Sequence, residues 1–218
     1  MNHGATGQGS NSAVAVAELF EGLGRELNDF AVVYLDGAIG GRLVLDGSYR
    51  RGVTGNAGDI GLMPVAPSRL KQTPPPGRPS DILLNRASVT GLVRHLRANG
   101  VTVASSRDFE AALETQSALV GEWLEDCAEA LTNPLLSIAV LLDLRAIVID
   151  GNLARPLIER LVAPLRAFAD NARARGARAD GTEGGHDRAQ RRCHRRRDLA
   201  AVLQLRSRSG RVVRIIIL

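Results

Sequence analysis

The stretch from Phe30 to Val65, FAVVYLDGAIGGRLVLDGSYRRGVTGNAGDIGLMPV, constrains the fold of this chain more than any other. The apolar run Ala31–Leu35 predicts a buried strand. Asp36-Gly37-Ala38-Ile39-Gly40-Gly41 follows as a glycine-bearing turn, and Leu43-Val44-Leu45 predicts a second strand ending at Asp46-Gly47. Asp-Gly after alternating apolar residues is a strong hairpin signal. Gly52 to Gly61 then places four glycines in ten residues, beside Asn56 and Asp59. Glycines let a backbone approach a ligand closely, and two such polar side chains suit hydrogen bonds to hydroxyl groups. Gly55-Asn56-Ala57-Gly58 also reads as a plain tight turn with Asn in the left-handed region.

Helical and strand patterns alternate along the rest of the chain, which implies an α/β architecture. Residues 1–12 are rich in Gly, Ser and Asn and are expected to be disordered. Residues 13–29 predict a helix with Val14, Ala17, Leu19 and Leu23 near one face. Residues 64–80 hold six prolines and predict an exposed loop. Ser80-Asp81 is expected to cap a helix over 81–98, which Asn99-Gly100 ends. Helices over 108–132 and 134–145 lead into Ala146–Asp150, a buried strand with a turn at Gly151, and a last amphipathic helix spans 153–174.

Charge divides the chain. From His186 to Leu218 there are ten arginines against Asp187 and Asp198, so the preceding 185 residues carry a net −3 although the whole chain is +5. A nucleic-acid reading therefore concerns the tail alone. Arg191–Arg197 lacks aromatic interleaving and a helix-turn-helix pattern, so no sequence-specific reading of bases is expected. Aromatics make up 3% of the chain, so the core must come from Leu, Val, Ile and Ala. No apolar run reaches the ~18 residues a membrane span needs, and the start has neither the basic nor the apolar region of a secretory signal. The expectation is a cytoplasmic protein with no membrane partner. Cys127 and Cys193 are too few for a disulfide framework or a four-ligand zinc site. His95 reads as a surface or partly packed helical residue rather than a catalyst. His3, His186 and His194 lie in the expected disordered start and the tail.

In order and spacing, the Phe30–Val65 segment resembles the ROK family of bacterial sugar kinases and sugar-responsive repressors. The family motif runs close to Gly-Asn-Ala-Gly-Glu-x-Gly-His, and here it reads Gly55-Asn56-Ala57-Gly58-Asp59-Ile60-Gly61-Leu62. The resemblance implies a ribonuclease-H-like (actin-like ATPase/sugar kinase) lobe, with a mixed sheet and flanking helices. It covers about residues 11–185, so the domains expected are the 1–12 start, a 13–185 C-terminal lobe and a 186–218 Arg-rich tail. Complete members carry an N-terminal lobe with its own Asp-Gly-Gly-Thr phosphate loop, and repressors add a winged helix-turn-helix. Neither is present in this sequence, so DNA is expected only through a missing N-terminal domain.

The resemblance assigns Asn56 and Asp59 to sugar contact. Gly37, Gly40 and Gly41 fall in the phosphate turn, which departs from the family's Gly-Thr-Gly-Ile-Gly-x-Gly. Asp36 puts a carboxylate where anionic phosphate would sit, and Ala38 and Arg42 add side chains where backbone approach is needed. One reading lets the Arg42 guanidinium replace backbone donors; the preferred reading is a turn that no longer binds ATP. Gly151 falls in the turn that lies under the adenosine in the family. The family's catalytic base is an Asp in an Asn-Asp pair, which aligns here with Gly9-Ser10 or Ser10-Asn11, so no catalytic residue is assigned. The zinc-ligating His aligns with Leu62, and residues 63–90 hold no Cys, so no metal is expected.

The expected function is that of a ROK remnant: a sugar-binding, repressor-type regulatory lobe without kinase activity, with no cofactor, and a homodimer if folded. The alternative is an ATP-dependent hexose or amino-sugar kinase using ATP and Mg²⁺. The tail has two open readings, a frameshifted translation of the family's small-residue last helix or a genuine basic extension.

Overall fold

The computed structural model describes residues 27–70, 80–180, 205–206 and 212–217. Strand β1 (Phe30–Leu35) is buried along its whole length, as expected of an apolar run between two neighbours. β2 (Ile39–Leu45) pairs with it antiparallel, from Phe30 opposite Val44 to Leu35 opposite Ile39. The short β3 (Ser48–Tyr49) folds back on β2 across Asp46-Gly47. Both turn residues have positive φ, 52° and 69°, the backbone that a two-residue hairpin requires and that Asp-Gly tolerates.

The chain then runs through the glycine loop into a single 3-10 turn at Ile60–Leu62. A small second sheet pairs β4 (Pro64–Val65) with β5 (Asp81–Ile82). Helices α1 (Leu83–Arg86), α2 (Val89–Ala98), α3 (Ser106–Thr115) and α4 (Ser117–Leu142) follow. β6 (Ala146–Gly151) lies parallel to β1 on its other side, Phe30 opposite Ala146 and Leu35 opposite Gly151. Helix α5 (Arg155–Asp180) comes next, and β7 (Leu205–Arg206) and β8 (Val212–Ile217) complete the sheet. The order among the described residues is β3-β2-β1-β6-β8-β7, with β8 antiparallel to β6. The sheet is therefore mixed, as expected. Alternate residues Ala31, Val33 and Leu35 of β1 join Ile147 and Ile149 in a core completed by Trp123, Leu131 and Leu135 of α4 and Leu161 and Leu165 of α5.

Several expected boundaries move, each for a physical reason. Most of the helix expected over 13–29 lies outside the described residues, and 27–29 are not helical. Residues 81–98 form two helices rather than one. Asp81 is in a strand, where its Oδ1 accepts from the Ile82 N–H at 2.8 Å and from Asn85 Nδ2 at 2.7 Å, so it caps nothing. The cap is Ser88, whose Oγ accepts from the Gly91 N–H at 3.1 Å and starts α2 afresh. Gly91 fits there because a Cβ would lie 3.1 Å from the Asn85 carbonyl. Asn99 and Gly100 (φ 84°) close α2 as expected.

The proline-rich stretch is not wholly exposed: Pro64–Val65 is a strand and Val65 is buried, while 71–79 lie outside the described residues. The helices expected over 108–132 and 134–145 break instead at Gln116, and α4 runs through Pro134. Proline costs the helix a donor and about 3 kcal/mol. Leu131, Leu135 and Ala139 flank it in the core, and a fully buried Leu gains about 1.5–3 kcal/mol, so packing outweighs the break. Within the Arg-rich tail, the β-branched run Val212–Ile217 pairs with β6 from Ala146 opposite Ile217 to Ile149 opposite Arg214.

Candidate functional site

Two polar regions flank the start of β2. The first is the glycine loop. Its position is set by backbone contact that only glycine permits: a Cβ on Gly41 would lie 2.3 Å from the Gly58 carbonyl oxygen, and one on Gly58 would lie 3.1 Å from Arg42 Cα. A Cβ on Gly61 would lie 2.9 Å from the Ile39 carbonyl oxygen. Gly52, Gly55 and Gly58 have φ of 71°, 81° and 86°, so the loop repeatedly enters the left-handed region. The Ala57 N–H donates to the Arg51 carbonyl at 3.2 Å and the Asp59 N–H to that of Asn56 at 3.1 Å. Ile60, buried in the core, anchors the far end.

This arrangement presents both sugar candidates. Asn56 and Asp59 are exposed on one short turn, and neither side chain hydrogen-bonds to another described residue. Asn56 itself does not have positive φ; the flanking Gly55 and Gly58 carry that conformation. Leu62, at the family's His position, is 63% exposed and offers no ligand atom. No group of three or more His, Cys, Asp or Glu that could hold a metal ion occurs among the described residues. The donor set does not fit a zinc ion.

The second region is where the parallel strands β1 and β6 end side by side, at the strand ends where open α/β sheets bind ligands. Of the expected phosphate-turn residues, Gly37 lies in the three-residue turn Asp36–Ala38, whereas Gly40 and Gly41 are inside β2. A Cβ on Gly40 would meet nothing within 4 Å, so Gly41 and not Gly40 is sterically required. Gly151 ends β6, where a Cβ would lie 2.1 Å from the Leu35 carbonyl, so the two strand ends touch.

Polar groups at these strand ends are bonded to one another. Asp36 Oδ1 accepts from the Gly37 N–H at 2.7 Å, and its Oδ2 accepts from Asn152 Nδ2 at 2.9 Å. Asn152 Oδ1 accepts from the Tyr34 hydroxyl at 3.1 Å, and the Asn152 N–H donates to the Leu35 carbonyl at 2.8 Å. Thr90 Oγ1 donates to the Gly37 carbonyl at 2.5 Å, and the Val89 N–H donates to that of Asp36 at 2.9 Å. Arg42 folds its Nη1 onto the Gly41 carbonyl at 2.7 Å. Asn152, Thr90 and Tyr34 were beyond sequence reasoning, since Asn152 and Asp36 are 116 residues apart and nothing local marks them as partners.

Two polar clusters, one buried and one partly buried, tie the helices together. Arg86, 2% exposed, places Nε 3.0 Å from Asp126 Oδ2 and Nη2 2.6 Å from Oδ1, while its Nη1 donates to the Ala66 carbonyl at 2.9 Å. Ser68 Oγ also donates to Asp126 Oδ1 at 3.0 Å, and Trp123 Nε1 donates to the Arg86 carbonyl at 3.1 Å. His95 is 2% exposed rather than on the surface. Its Nε2 lies 3.1 Å from Glu122 Oε2, and Asn99 Nδ2 lies 3.4 Å from its Nδ1. The Cys127 thiol is fully buried, which pushes its pKa up and leaves it unreactive. Cys193, His3, His186 and His194, and the Gly9–Asn11 positions where a catalytic base was sought, lie outside the described residues.

A mixed α/β lobe with a glycine loop beside these strand ends defines the class, and comparison with known proteins defines the family. The ROK family model matches residues 10–179, and the chain belongs to the ROK family. Among solved structures it is similar to a ROK family protein from Streptococcus pneumoniae in complex with sucrose, at 25% identity and a TM-score of 0.55, over 72% of this chain and 52% of that one. A ROK hexokinase from Thermus thermophilus gives 21% identity and a TM-score of 0.56, over 73% of this chain and 54% of that one. A ROK family transcriptional regulator homologous to the E. coli MLC protein gives 20% identity and a TM-score of 0.53, over 73% and 41%. An uncharacterized protein of Clostridium perfringens is 27% identical over 157 residues, 68% of this chain and 49% of its own length. The chain thus spans about half the length of that relative. The expected fold, an actin-like ATPase/sugar kinase lobe, holds. No helix among the described residues is long and apolar enough to cross a membrane.

Proposed function

We propose that this chain is a sugar-binding lobe of regulatory, repressor-type character that does not phosphorylate its ligand. The observation that carries the reading is the glycine loop. Asn56 and Asp59 stand exposed, their side chains without a hydrogen-bond partner among the described residues, on a backbone pinned by the Gly41–Gly58 contact. A carboxylate and an amide held in that way suit a pair of sugar hydroxyls, and the rigid support limits the entropy lost on binding. The loss of kinase chemistry is supported by the family's Asn-Asp position, where Gly9-Ser10 or Ser10-Asn11 supplies no carboxylate.

The test has two arms on one preparation. A panel of hexoses and N-acetylhexosamines is titrated with thermal unfolding as the readout, and sugar phosphate is assayed with ATP and Mg²⁺ present. The proposal expects at least one sugar to raise the Tm, the shift to vanish in Asp59→Ala, and no sugar phosphate to form. Turnover that is lost in Asp59→Ala would instead establish the kinase reading, which the similarity to the Thermus thermophilus ROK hexokinase favours.

A further inference from the structure

We infer that Asp36 is a resident anion: its carboxylate fills, from within the chain, the place that a ligand phosphate would take at the ends of β1 and β6. The inference rests on the reading that Asp36–Ala38 is the counterpart of the family's phosphate turn. Asp36 is only partly buried, yet both carboxylate oxygens are engaged, Oδ1 by the Gly37 N–H at 2.7 Å and Oδ2 by Asn152 Nδ2 at 2.9 Å. These are the two kinds of donor, a turn N–H and a side-chain amide, that an anionic oxygen would otherwise recruit.

The carboxylate is also held in place. Asn152 is oriented by the Tyr34 hydroxyl on Oδ1 and by its own N–H on the Leu35 carbonyl, 3.1 and 2.8 Å away. The turn is tied from the other side, the Val89 N–H meeting the Asp36 carbonyl at 2.9 Å and Thr90 Oγ1 the Gly37 carbonyl at 2.5 Å. Gly151 seals the floor, since its Cα sits too near the Leu35 carbonyl for any side chain. A polyphosphate entering at the strand ends must therefore break two charge-assisted hydrogen bonds and face the displaced carboxylate at the same time. Asp36 closes the turn by occupying it with a hydrogen-bonded carboxylate.

The test is isothermal titration with sodium tripolyphosphate at low salt, on the full chain and on Asp36→Ala, Asp36→Gly and Asp36→Asn, with each fold verified by circular dichroism. Two vacating variants are used because either alone can fail to fold. The wild-type chain is expected to show no saturable binding, and Asp36→Ala or Asp36→Gly to bind at least about tenfold more tightly. Asp36→Asn keeps the side chain's size and an acceptor for the Gly37 N–H but sets an NH2 against the Asn152 Nδ2 donor, so it is expected to fall between the wild type and the vacating variants. Wild-type binding as tight as that of the vacating variants overturns the inference, as does a folded Asp36→Ala or Asp36→Gly with no gain. Asp36→Asn gaining as much as Asp36→Ala also overturns it, because a side chain of the same size in the same place would then close nothing. The sugar titration is run on the same proteins. Its failure strikes the sugar-binding reading alone, whereas failure of the tripolyphosphate arm leaves that reading standing.

Discussion

The glycine loop and the β1–β2 turn lie at the same end of one strand, and they treat their polar side chains in opposite ways. In the loop, glycines are spent on close backbone packing, and Asn56 and Asp59 are left exposed with no side-chain hydrogen bond to another described residue. In the turn, Asp36 and Asn152 are spent on each other and on the backbone. The difference teaches that a glycine-rich motif is not one property. A glycine there either makes room for a neighbouring backbone, as Gly41 does, or makes room for nothing, as Gly40 does. Only the surroundings decide whether the polar residues beside it serve a ligand or the fold.

The comparison can be broken most forcefully at the groups spent inside. Asp126→Ala strands the buried Arg86 guanidinium without its charged partner. It is expected to cost about 3–5 kcal/mol, read as a fall in Tm and in the urea midpoint. Gly41→Ala forces a Cβ into the Gly58 carbonyl, and overpacking of that kind costs about 1–3 kcal/mol. It is expected to abolish the sugar-dependent Tm shift along with the loss of stability, whereas Gly40→Ala, in open space, changes stability by less than about 0.5 kcal/mol. Asn56→Ala and Asp59→Ala are expected to move stability by no more than about 0.5 kcal/mol while removing the ligand effect. Equal losses from Gly40→Ala and Gly41→Ala would remove the steric distinction.

The smallest effect comes from Asp108, far from both regions. The Ala104 N–H, the Ser105 hydroxyl and the Ser105 N–H all favour its ionised form and hold its carboxyl below the usual range. A depressed folded-state pKa gives stability that is present above the unfolded value and lost as pH falls through the folded one. Asp108→Ala is therefore expected to lower Tm slightly at pH 7, with the difference from wild type closing as the buffer is taken below the carboxylate range.

Much of the framework was legible because it is written in local pattern. The run Phe30–Leu35, the Asp46-Gly47 hairpin and the strand at Ala146–Gly151 need only a few consecutive residues to be recognised. The motif around Asn56 and Asp59 was legible for the same reason. What was not legible depends on contacts distant in sequence. The break at Ala87-Ser88 was hidden although the Ser88 cap is local, because the Arg86–Asp126 pair beside it spans 40 residues. The helix through Pro134 defied a local rule that core packing overrides. Asp36 was marked as hostile to phosphate, but that its oxygens are held by Gly37 and Asn152 is a fact of tertiary structure.

The most direct test of the account compares the two regions in one spectrum. Amide chemical shifts of the full chain would be recorded with and without a saturating sugar from the thermal panel. The account predicts that the perturbed amides cluster between Gly52 and Gly61 while Gly37 and Asn152 stay still. Perturbation centred on Gly37, Asn152 and their neighbours, or spread equally over both regions, would contradict it.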